Sequence, residues 1–169
     1  MNTCLFVTAI IAQQVSGARD FLTLAPLIVE AAVRDAEPQA RSHPRLVLIN
    51  TPSFLVQGSM AAALDLQLRD VKKALHRPFE DATPGSAVQC RSRTNGLPSD
   101  CSVREDGLYI ELNYFMLSPP GYEVVFTWKQ NGPRLPGLGG TIDSRVVKVW
   151  FVDVGGAWTA TRREVLSGT

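Results

Sequence analysis

The stretch Leu108-Tyr-Ile-Glu-Leu-Asn-Tyr-Phe-Met-Leu-Ser-Pro-Pro-Gly-Tyr-Glu-Val-Val-Phe-Thr-Trp-Lys129 decides the fold. Its two halves alternate with a period of two, the signature of strands with one face in a core and one toward water. In the first, Leu108 to Leu117, residues Leu108, Ile110, Leu112, Tyr114 and Met116 share a face, with Glu111 and Asn113 opposite. In the second, Tyr122 to Lys129, residues Tyr122, Val124, Phe126 and Trp128 lie together, against Glu123, Thr127 and Lys129. Ser118-Pro-Pro-Gly121 between them is a turn, so the pair reads as an antiparallel hairpin.

Downstream, a glycine- and proline-rich loop from Gln130 to Ser144 precedes two further strands, Arg145–Val154 and Ala157–Leu166. Gly155-Gly156 joins them, because consecutive glycines permit the positive φ angles of tight hairpins. A two-residue loop opposes Asp153 to Trp158; a three-residue loop with a glycine bulge opposes Val152 to Trp158, and packing favours the latter.

Upstream, the pattern turns helical. Thr23 to Glu37 reads as a helix capped by Thr23, with Pro26 in its first turn and Pro38 ending it. Leu24, Leu27, Ile28, Ala31 and Ala32 form its buried stripe, leaving Glu30, Arg34 and Asp35 to water. Arg45–Asn50, bounded by Pro44 and Pro52, is a short branched strand. Ser59 to Arg77 is a second helix, with Leu64, Leu68, Val71 and Leu75 on one stripe. The connector from Ala82 to Gly107 is rich in Pro, Gly, Ser and charge. The expected class is α+β: two N-terminal helices with a short strand between them, packed on a four- or five-stranded mainly antiparallel sheet.

Residues 1–18 carry no Asp, Glu, Lys, Arg or His. An apolar run from Cys4 to Ala12 leads to Ser16 and Ala18, spaced as a signal peptidase accepts, and Arg19 follows. This reads as a signal peptide over 1–18, with 19–169 a single α+β domain that is secreted or periplasmic. If residues 1–18 belong to the fold, a cytoplasmic location follows instead. The nine-residue apolar run falls well short of the ~20 residues a membrane-spanning helix needs. Once Cys4 leaves with the leader, Cys90 and Cys101 remain, and Asn95-Gly96 and Pro98 between them let the chain double back into a disulfide.

Composition excludes more than it names. With 17 Lys+Arg against 16 Asp+Glu, the net charge of +1 offers no general attraction to nucleic acid. No nucleophile elbow, HExxH, P-loop or EF-hand is present, so no cofactor is indicated. His43 and His76 stand at no ligand spacing to a cysteine, so no metal is expected. Gly137-Leu-Gly-Gly140 lacks the strand-to-helix context of a phosphate loop, and Arg91, Arg93 and Arg104 are offset by Asp100, Glu105 and Asp106. Trp128, Trp150 and Trp158 are candidate ligand contacts, and Arg134, Leu135 and Leu138 give the long loop groups able to touch a partner. The favoured function is a non-enzymatic exported domain that binds a protein or an apolar small ligand. The alternative is a small enzyme with a pocket between helices and sheet.

Amino-terminal sequencing of exported protein is expected to start at Arg19. Intact Met1 on a folded cytosolic product would count against a leader.

Overall fold

The computed structural model describes residues 3–37, 46–62, 66–91, 100–132 and 141–168. The quoted stretch forms β5 (Leu108–Ser118) and β6 (Gly121–Asn131), with Ser118 opposite Gly121 and the two prolines at the tip. Tyr122, Val124, Phe126 and Trp128 all enter the core, as their alternation requires. β5 departs from its expected phase. Leu112 pairs with Phe126 but Tyr114 with Val125, so Asn113 is an extra residue, and its side chain accepts a 2.7 Å hydrogen bond from Thr127 Oγ1. This bulge puts Phe115 in the core and leaves Tyr114 half-buried and Met116 exposed. Phe115 is the larger apolar group, and it gains stacking on Tyr122 and an edge contact with Phe21.

β7 (Ile142–Val154) and β8 (Ala157–Gly168) complete an antiparallel meander. Contrary to the three-residue loop expected, Val154 faces Ala157 and Asp153 faces Trp158. Gly155 (φ 65°) and Gly156 (φ 89°) both take the left-handed region, as a two-residue hairpin turn requires, and Asp153 accepts from Gly156 N at 2.7 Å. The expected loop from Gln130 to Ser144 is shorter than read. Gln130 and Asn131 pair with Asp143 and Ile142, because each extra rung satisfies backbone groups. Arg134, Leu135, Leu138 and Gly137–Gly140 lie outside the described residues, as do His43, Arg93, Asn95, Gly96 and Pro98.

The sheet has six described strands, ordered β2-β1-β5-β6-β7-β8, rather than four or five. β1 (Val47–Ile49) and β2 (Glu80–Asp81) join parallel to each other and to β5. The intervening segment between β1 and β2 contains α2 (Thr51–Ala62) and α3 (Leu68–Ala74), not one helix from Ser59. Pro52 starts α2 instead of merely stopping the strand; its missing N–H and fixed φ suit a first turn. Val71 and Leu75 are buried as expected, while Leu64 lies outside the described residues.

The connector holds structure that its composition concealed. After the short helix α4 (Pro84–Ala87), β3 (Val88–Arg91) and β4 (Asp100–Val103) form a ribbon in which Cys90 opposes Cys101. The two are disulfide-bonded, with Cα atoms 4.1 Å apart. The ribbon docks on the sheet face away from the long helices, where Leu48, Ala82, Ala87, Val103 and Tyr109 form a second cluster. Asn131 imitates a peptide group there: its Oδ1 accepts from Val103 N at 2.6 Å and its Nδ2 donates to Val103 O at 3.1 Å.

α1 runs unbroken from Thr3 to Ala36. Thr23 is therefore no cap; its hydroxyl donates to Arg19 O one turn back, and Pro26 sits in the helix interior. Tyr122 Oη donates to Asp20, Trp128 Nε1 to Asp35 and Gln130 Nε2 to Ala36 O, so α1 lies parallel to β6. α2 crosses close to α1 at Gly58, where any Cβ would come 2.4 Å from the Phe21 ring. No helix among the described residues is long and apolar enough to cross a membrane.

Gly121 marks the tightest backbone approach in the meander: a Cβ there would stand 1.9 Å from the Phe151 carbonyl oxygen. Neither backbone can yield without breaking β6–β7 rungs. Gly121→Ala is expected to lower unfolding free energy by about 2–4 kcal/mol in urea titration. Gly85→Ala, with nothing within 4 Å, should stay within about 0.5 kcal/mol of the parent.

Candidate functional site

Asp35 falls on the buried phase of α1 with Leu24, Ile28 and Ala32, not on the water-facing side expected for it. Its residue is only 8% exposed. Oδ2 accepts from the Trp128 indole at 2.7 Å, and Oδ1 is ion-paired with the guanidinium of Arg163 on β8. A buried carboxylate is tolerated when both oxygens are engaged in this way.

Beside this pair lies a groove of about 510 Å³ between the last turns of α1 and the strands β6 to β8. Phe126, Val147 and Val149 supply its apolar floor, and Ala31 and Ala160 flank it. The groove exists because α1 packs over β5 and β6 and touches β8 through a long side chain, while the flanking residues are alanines. Arg34, Arg145 and Arg163 stand around it with Asp35, three guanidiniums against one carboxylate. Arg145 lies over the Trp128 ring, 5.8 Å from its centroid, a favourable placement for a cation on an aromatic face.

A second groove, about 760 Å³, separates α1 from α3 and is lined by Arg19, Leu22, Thr23, Pro26, Asp70, Lys73, Ala74 and His76. Pro26 has no N–H for the Leu22 carbonyl, so that acceptor lacks its helical partner. Charges of both signs line this groove, giving it no single electrostatic preference.

A further polar cluster lies at the β2 edge of the sheet. Asp81 holds Lys72 in a salt bridge and accepts from Thr51, tying β2 to α3 and α2. Burial opposes the charged form of Asp81, but hydrogen bonds from Lys72 and Thr51 outweigh it and hold the carboxyl below its ordinary range. Thr51 is fully buried. Nearby, Asn50 Nδ2 donates to Glu111 at 3.2 Å, and burial followed by the Glu111 charge pushes the Tyr109 hydroxyl up. At the middle of α1, burial and then Asp20 push the Tyr122 hydroxyl up to about 12, keeping it a donor to that carboxylate.

The three tryptophans do not share a cavity. Trp128 is fully buried in the helix-side core. Trp150, between the core residues Val149 and Phe151, points to the opposite sheet face, with Arg162 at 4.4 Å and Lys148 at 5.4 Å from its ring centroid. Trp158 packs edge-on to Tyr122 at 5.4 Å. His76 lines the α1–α3 groove, and Arg104 pairs with Glu80 across the β4–β2 gap. No group of three or more His, Cys, Asp or Glu among the described residues is placed to hold a metal ion.

Sequence reasoning missed the groove, yet Asp35 carried a signal. It stands at i+11 from Leu24 and i+7 from Ile28, a charge in phase with the apolar stripe. Arg145 and Arg163 carried none, because they meet Asp35 and Trp128 only once the meander closes.

No family model, curated protein or solved structure matches the chain.

Asp35→Ala leaves the Trp128 N–H unpaired in the core and is expected to cost about 2–4 kcal/mol in denaturant unfolding, with a changed near-ultraviolet tryptophan signal. Asp35→Asn retains an acceptor for the indole and should cost less.

Proposed function

We propose that the chain is an exported, non-enzymatic binding domain that holds a small apolar ligand in the groove between α1 and β6–β8. The observation that carries the reading is a space of about 510 Å³ whose apolar wall is formed by Ala31 and Ala160, with the buried side chains of Phe126, Val147 and Val149 behind them. Small-molecule sites occupy roughly 300–1,000 Å³ and are mostly apolar with a few polar groups at the rim.

Catalysis is the weaker reading for this groove. Among the described residues the lining contains no histidine, cysteine, serine or lysine. Arginine stays protonated at any physiological pH. Asp35 already gives one oxygen to Trp128 and the other to Arg163, so both are engaged within the protein. The Cys90–Cys101 bond suits an oxidising compartment. Removal of residues 1–18 on export would take away none of the described groove residues, the first of which on α1 is Ala31.

Saturable one-to-one binding of neutral apolar probes such as 1-decanol is expected, followed through the fluorescence of Trp128 beneath Arg145. Ala160→Phe should block that binding without unfolding the domain, because Ala160 is exposed at the groove's edge. Absence of saturable binding, or binding indifferent to Ala160→Phe, would overturn the reading.

A further inference from the structure

We infer that the groove between α1 and β6–β8 selects an amphiphilic organic anion, with a carboxylate head held by Arg34 and Arg145 and an apolar body along Ala31 and Ala160, over the buried Phe126, Val147 and Val149. This rests on the groove being a ligand site, and it adds the chemical class of the ligand.

Three guanidiniums and one carboxylate line the groove. Arg163 is committed to Asp35, whose other oxygen is committed to Trp128. Glu30, one turn before Arg34 on α1, is committed to Arg77 at 2.8 Å. Neither Arg34 nor Arg145 forms an ion pair with a carboxylate among the described residues. Two cationic side chains therefore border one apolar wall with no carboxylate partner among the described residues.

The chemistry of those side chains then narrows the head group. Guanidinium presents a planar fork of N–H donors that matches a carboxylate, and it is more weakly hydrated than an ammonium. Arg145, held over the Trp128 ring, is oriented by that contact, so less rotamer freedom is lost on binding. Apolar contact alone would accept neutral and charged amphiphiles alike; the rim favours the anion and repels a cation. The α1–α3 groove, with Asp70 among Arg19, Lys73 and His76, offers no comparable one-sided field.

The test compares three probes with the same chain and different heads, decanoate, 1-decanol and decyltrimethylammonium, by calorimetry on the intact protein at low ionic strength. Decanoate is expected to bind about 10- to 100-fold tighter than decanol, the factor that charge-assisted hydrogen bonds supply, and the cation more weakly than either. The double variant Arg34→Gln with Arg145→Gln should bring decanoate to the level of decanol while decanol binding holds. Arg34 is exposed and Arg145 half-exposed, and circular dichroism checks that the variant is folded. The wild-type comparison stands even if it is not. Decanol binding as tightly as decanoate would overturn this inference and leave the groove as a ligand site. Failure of all three probes to bind would remove both. A decanoate preference that survives in the folded double variant would place the head elsewhere and overturn the assignment to these two arginines.

Discussion

The carboxylate of Asp35 is the point on which the arrangement of layers turns. It occupies a position that the apolar stripe of α1 assigns to the core, and it joins α1 to β6 through Trp128 and to β8 through Arg163. A hydrophobic residue of similar volume could have filled the position at equal or greater stability, because desolvating a charge offsets much of the Coulombic gain. What an apolar side chain cannot do is hold an arginine of the outermost strand. No residue of β8 along Ala157–Gly168 is fully buried, so the strand relies on its rungs with β7, on the packing of Trp158 against Tyr122 and on this tie.

That tie also explains why a groove survives beside a well-filled core. Between α1, α2 and the sheet, Phe21, Phe54, Phe126 and Trp128 are fully buried. Toward β8 the packing thins to Ala31 and Ala160, and a long charged side chain rather than an apolar one crosses the gap. An arginine spans distance without filling volume. The result is an apolar floor roofed on one side and cationic at its rim, which is the basis for reading it as a ligand site.

Both sheet edges are protected by means that leave the groove open. β2 is two residues long and ends in Glu80 and Asp81. β8 is longer, but it is interrupted at Thr161 and Leu166, where the pairing with β7 shifts, and it carries Arg162 and Arg163. Short length, bulges and charge all discourage pairing with another strand. The rear face near β1 and β5 is covered by the disulfide-linked ribbon, so Leu48 and Tyr109 are buried on that side as fully as Ile49 and Ile110 are on the other.

The amino-acid sequence by itself determined the α+β class, the inward set Tyr122, Val124, Phe126 and Trp128, the cysteine pair and the places of the Pro-Pro and Gly-Gly turns, though not the two-residue length of the latter, because each rests on local periodicity or backbone preference. It misplaced Met116 and Tyr114 because a bulge at Asn113 reverses alternation without leaving a local mark, and it misread Pro52 because a proline can close a strand or open a helix. Tertiary structure alone decided the parallel docking of β1 and β2 and the meeting of Asp35, Trp128, Arg145 and Arg163. Those residues are brought together by strand order and by the crossing of α1 over the sheet. Their contacts depend on non-local burial and pairing that no window of sequence contains.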